Sequence, residues 1–453
     1  MPETGKNYLN TIFNNLSSIM YHHHSLALLK NKETTISEVV KKAIHERLLS
    51  NQTPAAIFFD LSKYQQKLSE LSEAFPAPTL NAMAVKTNPL IKMLKVAAKM
   101  GFGAECASFS ELIIAKKAGF RPESIVFDSP VKTEDEIRYA LNEKIYINAD
   151  NIQELELICR LIKNGQPYRK GFIGLRINPE LPLNEYNKSF SEEEKRNITG
   201  MSSSKFGVLI EQAHQLLTQN REFSEVLTGL HVHIGSQKSP IKMLINGIKK
   251  VVKLAEYLNL HYNYQIRTFD IGGGLPVRYT DADGAISFKA FADLLYSEVP
   301  MLRNYKVITE FGRSVFANSG WAASKVEYTK TVRDEQDNEI KIALTHIGRN
   351  MFTRYHEIIL LNPDGSTKKG HFIDQTIGGP LCFSGDLIGK NRSLPLIEPN
   401  DIIIIKDVGA YTFSEWSFNA NRRFPPIFGY DEDLNISVLH KGQSTEEVAS
   451  FWE

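Results

Sequence analysis

Cysteine is scarce in this chain. Cys106, Cys159 and Cys382 stand far apart among 453 residues, and none has CxxC spacing. That excludes a disulfide framework and a structural zinc site, and it fits a reducing cytoplasm. Long apolar runs are missing as well, since none approaches the ~18 residues a membrane span needs. The opening "MPETGKNYLN" has no basic stretch leading into an apolar one, so no secretory signal is expected. Nor is there an excess of charge: a formal net charge of +1 gives no ground for nucleic acid or an anionic membrane as partner. Low-complexity tracts and repeats of solenoid or propeller period are absent too. With 42% hydrophobic and 23% charged residues, the expectation is an ordinary globular protein of the cytoplasm.

What is present is a rhythm. Eight short apolar runs recur: "TLNAMAVK" (Thr79–Lys86), "GFGAEC" (Gly101–Cys106), "SIVFD" (Ser124–Asp128), "KIYINAD" (Lys144–Asp150), "GFIGLRIN" (Gly171–Asn178), "GLHVHIG" (Gly229–Gly235), "TFDIGGG" (Thr268–Gly274) and "KVITEFG" (Lys306–Gly312). Between them, segments such as "SFSELIIAKKAG" and "NIQELELICRLIKNG" repeat apolar residues at three and four and close on glycine, as helices do. Strands alternating with helices imply a parallel sheet, and eight units match a closed (β/α)8 barrel. After Arg313 the pattern changes. "IKIALTHI", "DIIIIKDVGAYTF" and "LNISVLHK" are strand-like with little helix between, which predicts a mainly antiparallel β domain. Ahead of the barrel, "HSLALLKN" reads as a strand, Glu38–Leu49 as a helix and "AAIFFDLS" as a strand. The predicted class is therefore α/β plus β. Residues 1–60 contribute to the β domain, 61–313 form the barrel and 314–453 the C-terminal β domain.

The active site of such a barrel lies at the C-terminal ends of its strands. Lys86 ends the first run and Glu105 the second; His233 and Ser236 follow the sixth, Gly272 to Gly274 the seventh, and Glu310 and Arg313 the eighth. Taken singly each has an ordinary reading: a strand-end lysine usually faces solvent, and three glycines are often only a loop. Together they are what pyridoxal phosphate needs. Lys86 offers an amine to condense with an aldehyde, made nucleophilic if burial lowers its pKa. Glu310 offers a carboxylate to the pyridine nitrogen, and His233 a flat group for the ring face. The glycine turn brings backbone amides close to a phosphate, with Ser236 and Arg313 beside it.

"AVKTNP", "AECASFSEL", "LRINP", "SKFG", "HVHIGSQ", "DIGGGLP", "EFGR", "GPLCFSGD" and "DVGAYT" occur in order from about Ala56 to about Arg423. As a set they resemble the fold-type III pyridoxal-phosphate decarboxylases, the family of diaminopimelate, ornithine and arginine decarboxylases. "HIGSQ" and "RYHEI" resemble the diaminopimelate branch more than the eukaryotic ornithine branch. The resemblance implies the cofactor pyridoxal 5'-phosphate, carried by Lys86, with Glu105 near it and His233 stacked on its ring. Ser236, Gly273, Gly274 and Arg313 would hold the phosphate, Glu310 would pair with the pyridine nitrogen, and Tyr411 would reach the phosphate or the substrate. Cys382 would come from the other subunit of a homodimer with shared active sites, as the acid that reprotonates carbon after carbon dioxide leaves. The ordinary reading of a free cysteine, a small buried hydrophobe, stands beside that role.

Two departures bear on substrate. The family has Glu or Asp after the catalytic cysteine, to bind a distal amine; here that residue is Phe383. "GRNMFTRYHEI" stands where the diaminopimelate branch has a distal-carboxylate Arg and a Tyr; Arg349 is one place from the Arg position, and Phe352 replaces the Tyr. Arg349, Arg354, Arg422 and Arg423 remain candidates for an acidic group on the substrate. The expectation is a decarboxylase of a modified diamino acid, a D-amino acid or a carboxylated adduct. The alternatives are an authentic meso-diaminopimelate decarboxylase and a catalytically silent binding protein; retention of Lys86, His233, Glu310 and Cys382 weighs against the last. No metal is expected: His22 to His24 alternate faces of a strand and share one ion badly. "SFSEEEKRN" reads as a solvated charge run, or a loop near the barrel mouth.

Overall fold

The computed structural model describes residues 33–186, 189–280 and 283–453, so "HSLALLKN" and His22 to His24 lie outside the described residues. The first helix, α1, spans residues 33–45 rather than Glu38–Leu49. Its apolar stripe is Ile36, Val39, Val40 and Ala43, all buried. It stops because Arg47 turns left-handed (φ 60) and the Leu48 and Leu49 amides both fold back onto the Ala43 carbonyl. Strand β1 (Ala55–Asp60) follows, and the Asp60 carboxylate accepts the Lys63 amide to start α2 (Leu61–Ala74).

The barrel strands are β2 (Leu80–Ala84), β3 (Gly103–Cys106), β4 (Ile125–Phe127), β5 (Tyr146–Ala149), β6 (Ile173–Asn178) with the two-residue β7 (Val208–Leu209) at its end, β8 (Gly229–His231), β9 (Thr268–Asp270) and β10 (Lys306–Thr309). All eight expected runs are there. They pair in parallel in the order β5-β4-β3-β2-β10-β9-β8-β6, and β5 closes on β6. Four of the intervening helices begin where the sequence supplies a cap: Ser108, Thr133, Asn151 and Ser287 each accept an amide of the first turn. The helix Phe109–Ala118 ends on Gly119 at φ +90, as its terminal glycine predicts.

Because strand side chains alternate, residues two apart share the inward face. At the bottom of the barrel Ala82, Val126, Tyr146 and Ile308 form an apolar plug. Tyr146 fills the space that side chains on β6 and β8 would otherwise occupy. A Cβ on Gly174 would lie 2.8 Å from its hydroxyl, and one on Gly229 1.9 Å from it, so both positions need glycine. Two residues higher, the same face becomes polar: Asp128, Asn148, Arg176, His231, Asp270 and Glu310 are all buried. Higher still lie Lys86 and His233, at the mouth.

The second sheet is mixed. Its strands are β11 (Gly320–Arg333), β12 (Glu339–Thr345), β13 (Ile358–Leu361), β14 (Phe372–Gly378), β15 (Leu387–Pro395), β16 (Ile402–Ile405), β17 (Ile427–Tyr430) and β18 (Ile436–His440). β1 lies between β11, antiparallel, and β17, parallel, so both chain ends build this domain as expected. β12 and β14 form the other parallel pair, and the remaining pairings are antiparallel. α1 packs on the outer face of this sheet, where Phe58 stacks on Trp321 at 4.4 Å. The loop after β16 reaches the barrel mouth. The Tyr411 amide and the Ser414 hydroxyl both donate to the Thr87 carbonyl, and Asn88 donates to the Gly409 carbonyl. The chain just past Lys86 is thereby clamped.

Candidate active site

Lys86 sits in the short helical turn Val85–Thr87 that follows β2, its side chain 36% exposed to the mouth. Its ammonium pairs with the wholly buried Glu105 at the end of β3. The sequence suggested a lysine with a lowered pKa, and the structure corrects this. Burial alone would lower it, but Glu105, Tyr411 and Glu310 outweigh burial and raise it. Glu105 is pushed up to about 8 by burial and by the nearby Glu310 and Asp128 carboxylates, while Lys86 pulls it down. The two groups titrate as one unit, and Glu105 is the nearest base to take a proton from the amine.

The triple-glycine turn lies across the mouth. Gly272 donates to Asp270 Oδ1 at 3.0 Å, and Gly273 donates to His233 Nδ1 at 3.2 Å. Of the two glycines expected to hold phosphate, Gly273 is thus engaged by His233. A Cβ on Gly273 would lie 2.2 Å from the Glu310 carbonyl oxygen, and one on Gly274 2.1 Å from that of Gly235. The turn is pressed onto its neighbours and tolerates only hydrogen there. Arg313 donates to Tyr279 Oη at 3.0 Å and to Ser236 Oγ at 3.5 Å, and its guanidinium lies 4.5 Å from the Tyr411 ring centre.

Glu310 ends β10 with its carboxylate buried. Oε2 is 3.6 Å from His233 Nδ1 and 3.7 Å from His231 Nε2, whereas Oε1 has no partner in the protein. Arg313 Nε and Glu105 Oε1 are also buried without partners. Buried polar atoms normally find partners, so these three mark where a ligand with a ring nitrogen and an anionic tail would be gripped. The residues present fit pyridoxal phosphate.

Arg354 faces the same mouth. It lies 5.5 Å from the Tyr411 ring and 3.6 Å from Glu415. With Arg313, Tyr279, Thr280, Gln237 and Asn197 it lines a hollow of about 380 Å³. The "SFSEEEKRN" run contributes here: it forms a short helix, Glu192–Arg196, capped by Ser191, and Glu194 and Asn197 reach the hollow. Arg349 is exposed, and its guanidinium donates to the nearby Thr353 carbonyl. Cys382 and Phe383 are both exposed, on a loop fixed by Asp386, whose carboxylate accepts the Arg349 and Leu381 amides at 2.6 Å each. Arg422 donates to the Pro380 carbonyl, and with Arg423 lines a different hollow from Arg354. The structure therefore brings together Lys86, Glu105, His233, Ser236, Gly273, Gly274, Glu310, Arg313, Arg354 and Tyr411, and leaves Cys382, Phe383 and Arg349 on the surface.

Below the mouth lies a charged layer that reading the strand ends did not find. Asp128 contacts His231 at 3.2 Å and Arg176 at 3.7 Å, Arg176 also reaches Asp150 at 3.6 Å, and Asn148 donates to Asp270 at 3.0 Å. Its signal was in the runs themselves. Asp128, Arg176, His231 and Asp270 interrupt apolar strands at the period-two positions directly beneath the mouth.

A parallel barrel whose mouth joins an amine, a buried carboxylate, an imidazole, a tight glycine turn and an arginine fits a pyridoxal-phosphate enzyme of the barrel class. Comparison with known proteins makes this specific. Residues 61–317, more than half of the chain, match the profile described as "Pyridoxal-dependent decarboxylase, pyridoxal binding domain", and the chain belongs to that family of pyridoxal-phosphate-dependent amino-acid decarboxylases. It is 30% identical over 390 residues to diaminopimelate decarboxylase of Aquifex aeolicus, covering 85% of this chain and 88% of the relative. The same enzyme of Campylobacter jejuni is 32% identical over 407 residues, covering 88% and 96%. The crystal structure of diaminopimelate decarboxylase from Helicobacter pylori complexed with L-lysine superposes with a TM-score of 0.78 at 27% identity, over 90% of this chain and 99% of that one. Among the described residues, no helix is long and apolar enough to cross a membrane.

Proposed function

We propose that this decarboxylase acts on an amino acid whose far end carries a carboxylate and no free ammonium, a modified diamino acid or carboxylated adduct, in place of diaminopimelate. The observation that carries this is Arg354: its guanidinium stands in the mouth hollow beside Arg313, and its Nη1 is buried without a partner. A carboxylate is the natural complement of such a group. The residue after Cys382 supports the same reading. Phe383 brings no anion to a distal ammonium. A second reading, meso-diaminopimelate itself, is favoured by the names of the relatives.

In this account Lys86 binds the cofactor through its amine and passes its proton to Glu105. Bound pyridoxal phosphate supplies the electron sink into which the bond to the departing carbon dioxide breaks. Glu310 would hold the ring nitrogen, His233 would cover a ring face, and Ser236, Gly273, Gly274 and Arg313 would fix the phosphate. Tyr411, in contact with two guanidinium groups, shapes the substrate side. Cys382 of the partner subunit returns a proton to carbon. Its exposure in the single chain suits a residue completed by a second copy, and a reducing cytoplasm keeps that thiol free.

Carbon dioxide release across L-, D- and meso-diamino acids and their N-carboxyacyl derivatives tests the specificity. The expected result is strong release from an N-carboxyacyl derivative, whose far end has a carboxylate and no free ammonium, and little from meso-diaminopimelate. Strong release from meso-diaminopimelate would establish the second reading instead.

A further inference from the structure

Inside the barrel, one step below the mouth, four acidic side chains crowd together: Glu105, Asp128, Asp270 and Glu310, all buried. Beyond Lys86 and Arg176, the cation available to them is His231, which has no exposed surface. Its two ring nitrogens face carboxylates on opposite sides, Nδ1 at 3.2 Å from Asp128 Oδ1 and Nε2 at 3.7 Å from Glu310 Oε2. An ordinary core histidine is neutral and spends its N–H on a backbone carbonyl, as His356 does with Lys406. His231 makes no such bond.

We propose that His231 is a positioning residue for Glu310: wedged between Asp128 and Glu310, it balances and orients the Glu310 carboxylate so that the free Oε1 meets the ring nitrogen of the cofactor. This rests on the assignment of Glu310 to that nitrogen.

Three further observations favour His231 over its neighbour. His233 Nδ1 lies as close to Glu310, but it accepts the Gly273 amide and so has no proton to offer there. Burial would by itself lower the pKa of His231, but Asp128, Asp270 and Glu310 outweigh it and raise the imidazole to about 9, so it is a cation at neutral pH. Burial likewise opposes a charged Glu310, and His231 is the largest influence holding that carboxyl below its ordinary value. Arg176 balances Asp128 from the far side, which leaves the positive charge of His231 directed at Glu310.

The test loads wild type, His231→Gln, Glu310→Gln and the double variant with pyridoxal phosphate labelled with 15N in the ring. It reads the ring-nitrogen resonance and the rate at which cofactor is lost on dialysis. His231→Gln should move the resonance toward that of an unprotonated pyridine, in the direction of Glu310→Gln. It should speed cofactor loss about tenfold, the equivalent of one pKa unit, and add little to Glu310→Gln in the double variant. A histidine with a purely structural role would lower the melting temperature and leave the resonance in place. That result, with Glu310→Gln shifted, overturns the proposal. If Glu310→Gln leaves the resonance unmoved, the assignment of Glu310 fails and the proposal with it. Should His231→Gln not fold, Asp128→Asn gives the same reading with the imidazole kept: a shift supports the relay and an unmoved resonance overturns it.

Discussion

Gly274 and Gly119 share a backbone conformation, φ +91 and φ +90, in opposite surroundings. The Cβ of alanine at Gly119 meets nothing within 4 Å, whereas at Gly274 it would lie 2.1 Å from the Gly235 carbonyl oxygen. Both substitutions bear the left-handed strain of about 1–2 kcal/mol. Only Gly274→Ala must also push backbone apart by more than about 1 Å to restore a contact of about 3.5 Å, an overpacking cost of about 1–3 kcal/mol. The segment that yields is the glycine turn or the chain beside Ser236, and both belong to the proposed phosphate grip. Cofactor affinity should therefore fall about 10- to 100-fold for Gly274→Ala, taking about 1.4 kcal/mol per tenfold, and stay at the wild-type value for Gly119→Ala. Equilibrium dialysis against pyridoxal phosphate, with melting temperatures of the cofactor-free proteins as the control for strain, separates the two effects. Equal cofactor loss in both variants, or none in either, would refute the argument that this turn is built to approach a ligand.

The remaining predictions concern charge and substrate. His231 is raised from 6.5 to about 9 in the folded chain, so the stability it adds is complete below pH 6.5 and is lost as pH climbs toward 9. The contribution reaches about 3 kcal/mol; urea midpoints should fall across that window for wild type and fall less for His231→Gln. Arg354→Gln should lower kcat/KM about 10- to 100-fold on the anionic substrate, mainly through KM, as expected of one charged hydrogen bond worth about 1.5–3 kcal/mol; Arg349→Gln should change little. Cys382→Ala should lower kcat by about 10²–10⁴-fold, the worth of a positioned acid, with the cofactor spectrum intact. Mixing it with Lys86→Ala should restore activity if the sites are shared between subunits, and unrestored activity would place Cys382 outside the partner's site.

The barrel was legible because each strand is a short apolar run ended by a polar residue, and four of the helices between them carry a capping side chain. Lys86, Glu105, His233, Glu310 and Arg313 could be read off for the same reason: they stand where runs stop. The charged layer beneath was not read. Asp128, Arg176, His231 and Asp270 lie within or at the close of runs otherwise recognised by their apolarity, and only the closed barrel sets them against one another. The direction of the Lys86 shift was also beyond the sequence, since burial argues one way and Glu105, 19 positions away, argues the other. Helix α1 starts earlier than its periodicity suggested because its stripe begins at Ile36. Arg354 became the foremost of the candidate arginines only when the fold set it in one hollow with Arg313.

The claim on which the account depends is that Lys86 is the amine that carries pyridoxal phosphate. Borohydride reduction of the loaded protein, followed by proteolysis and peptide mass spectrometry, tests it directly. The account predicts a pyridoxyl-phosphate mass on the peptide containing Lys86 and on no other lysine; the adduct on a different lysine, or none at all, would contradict it.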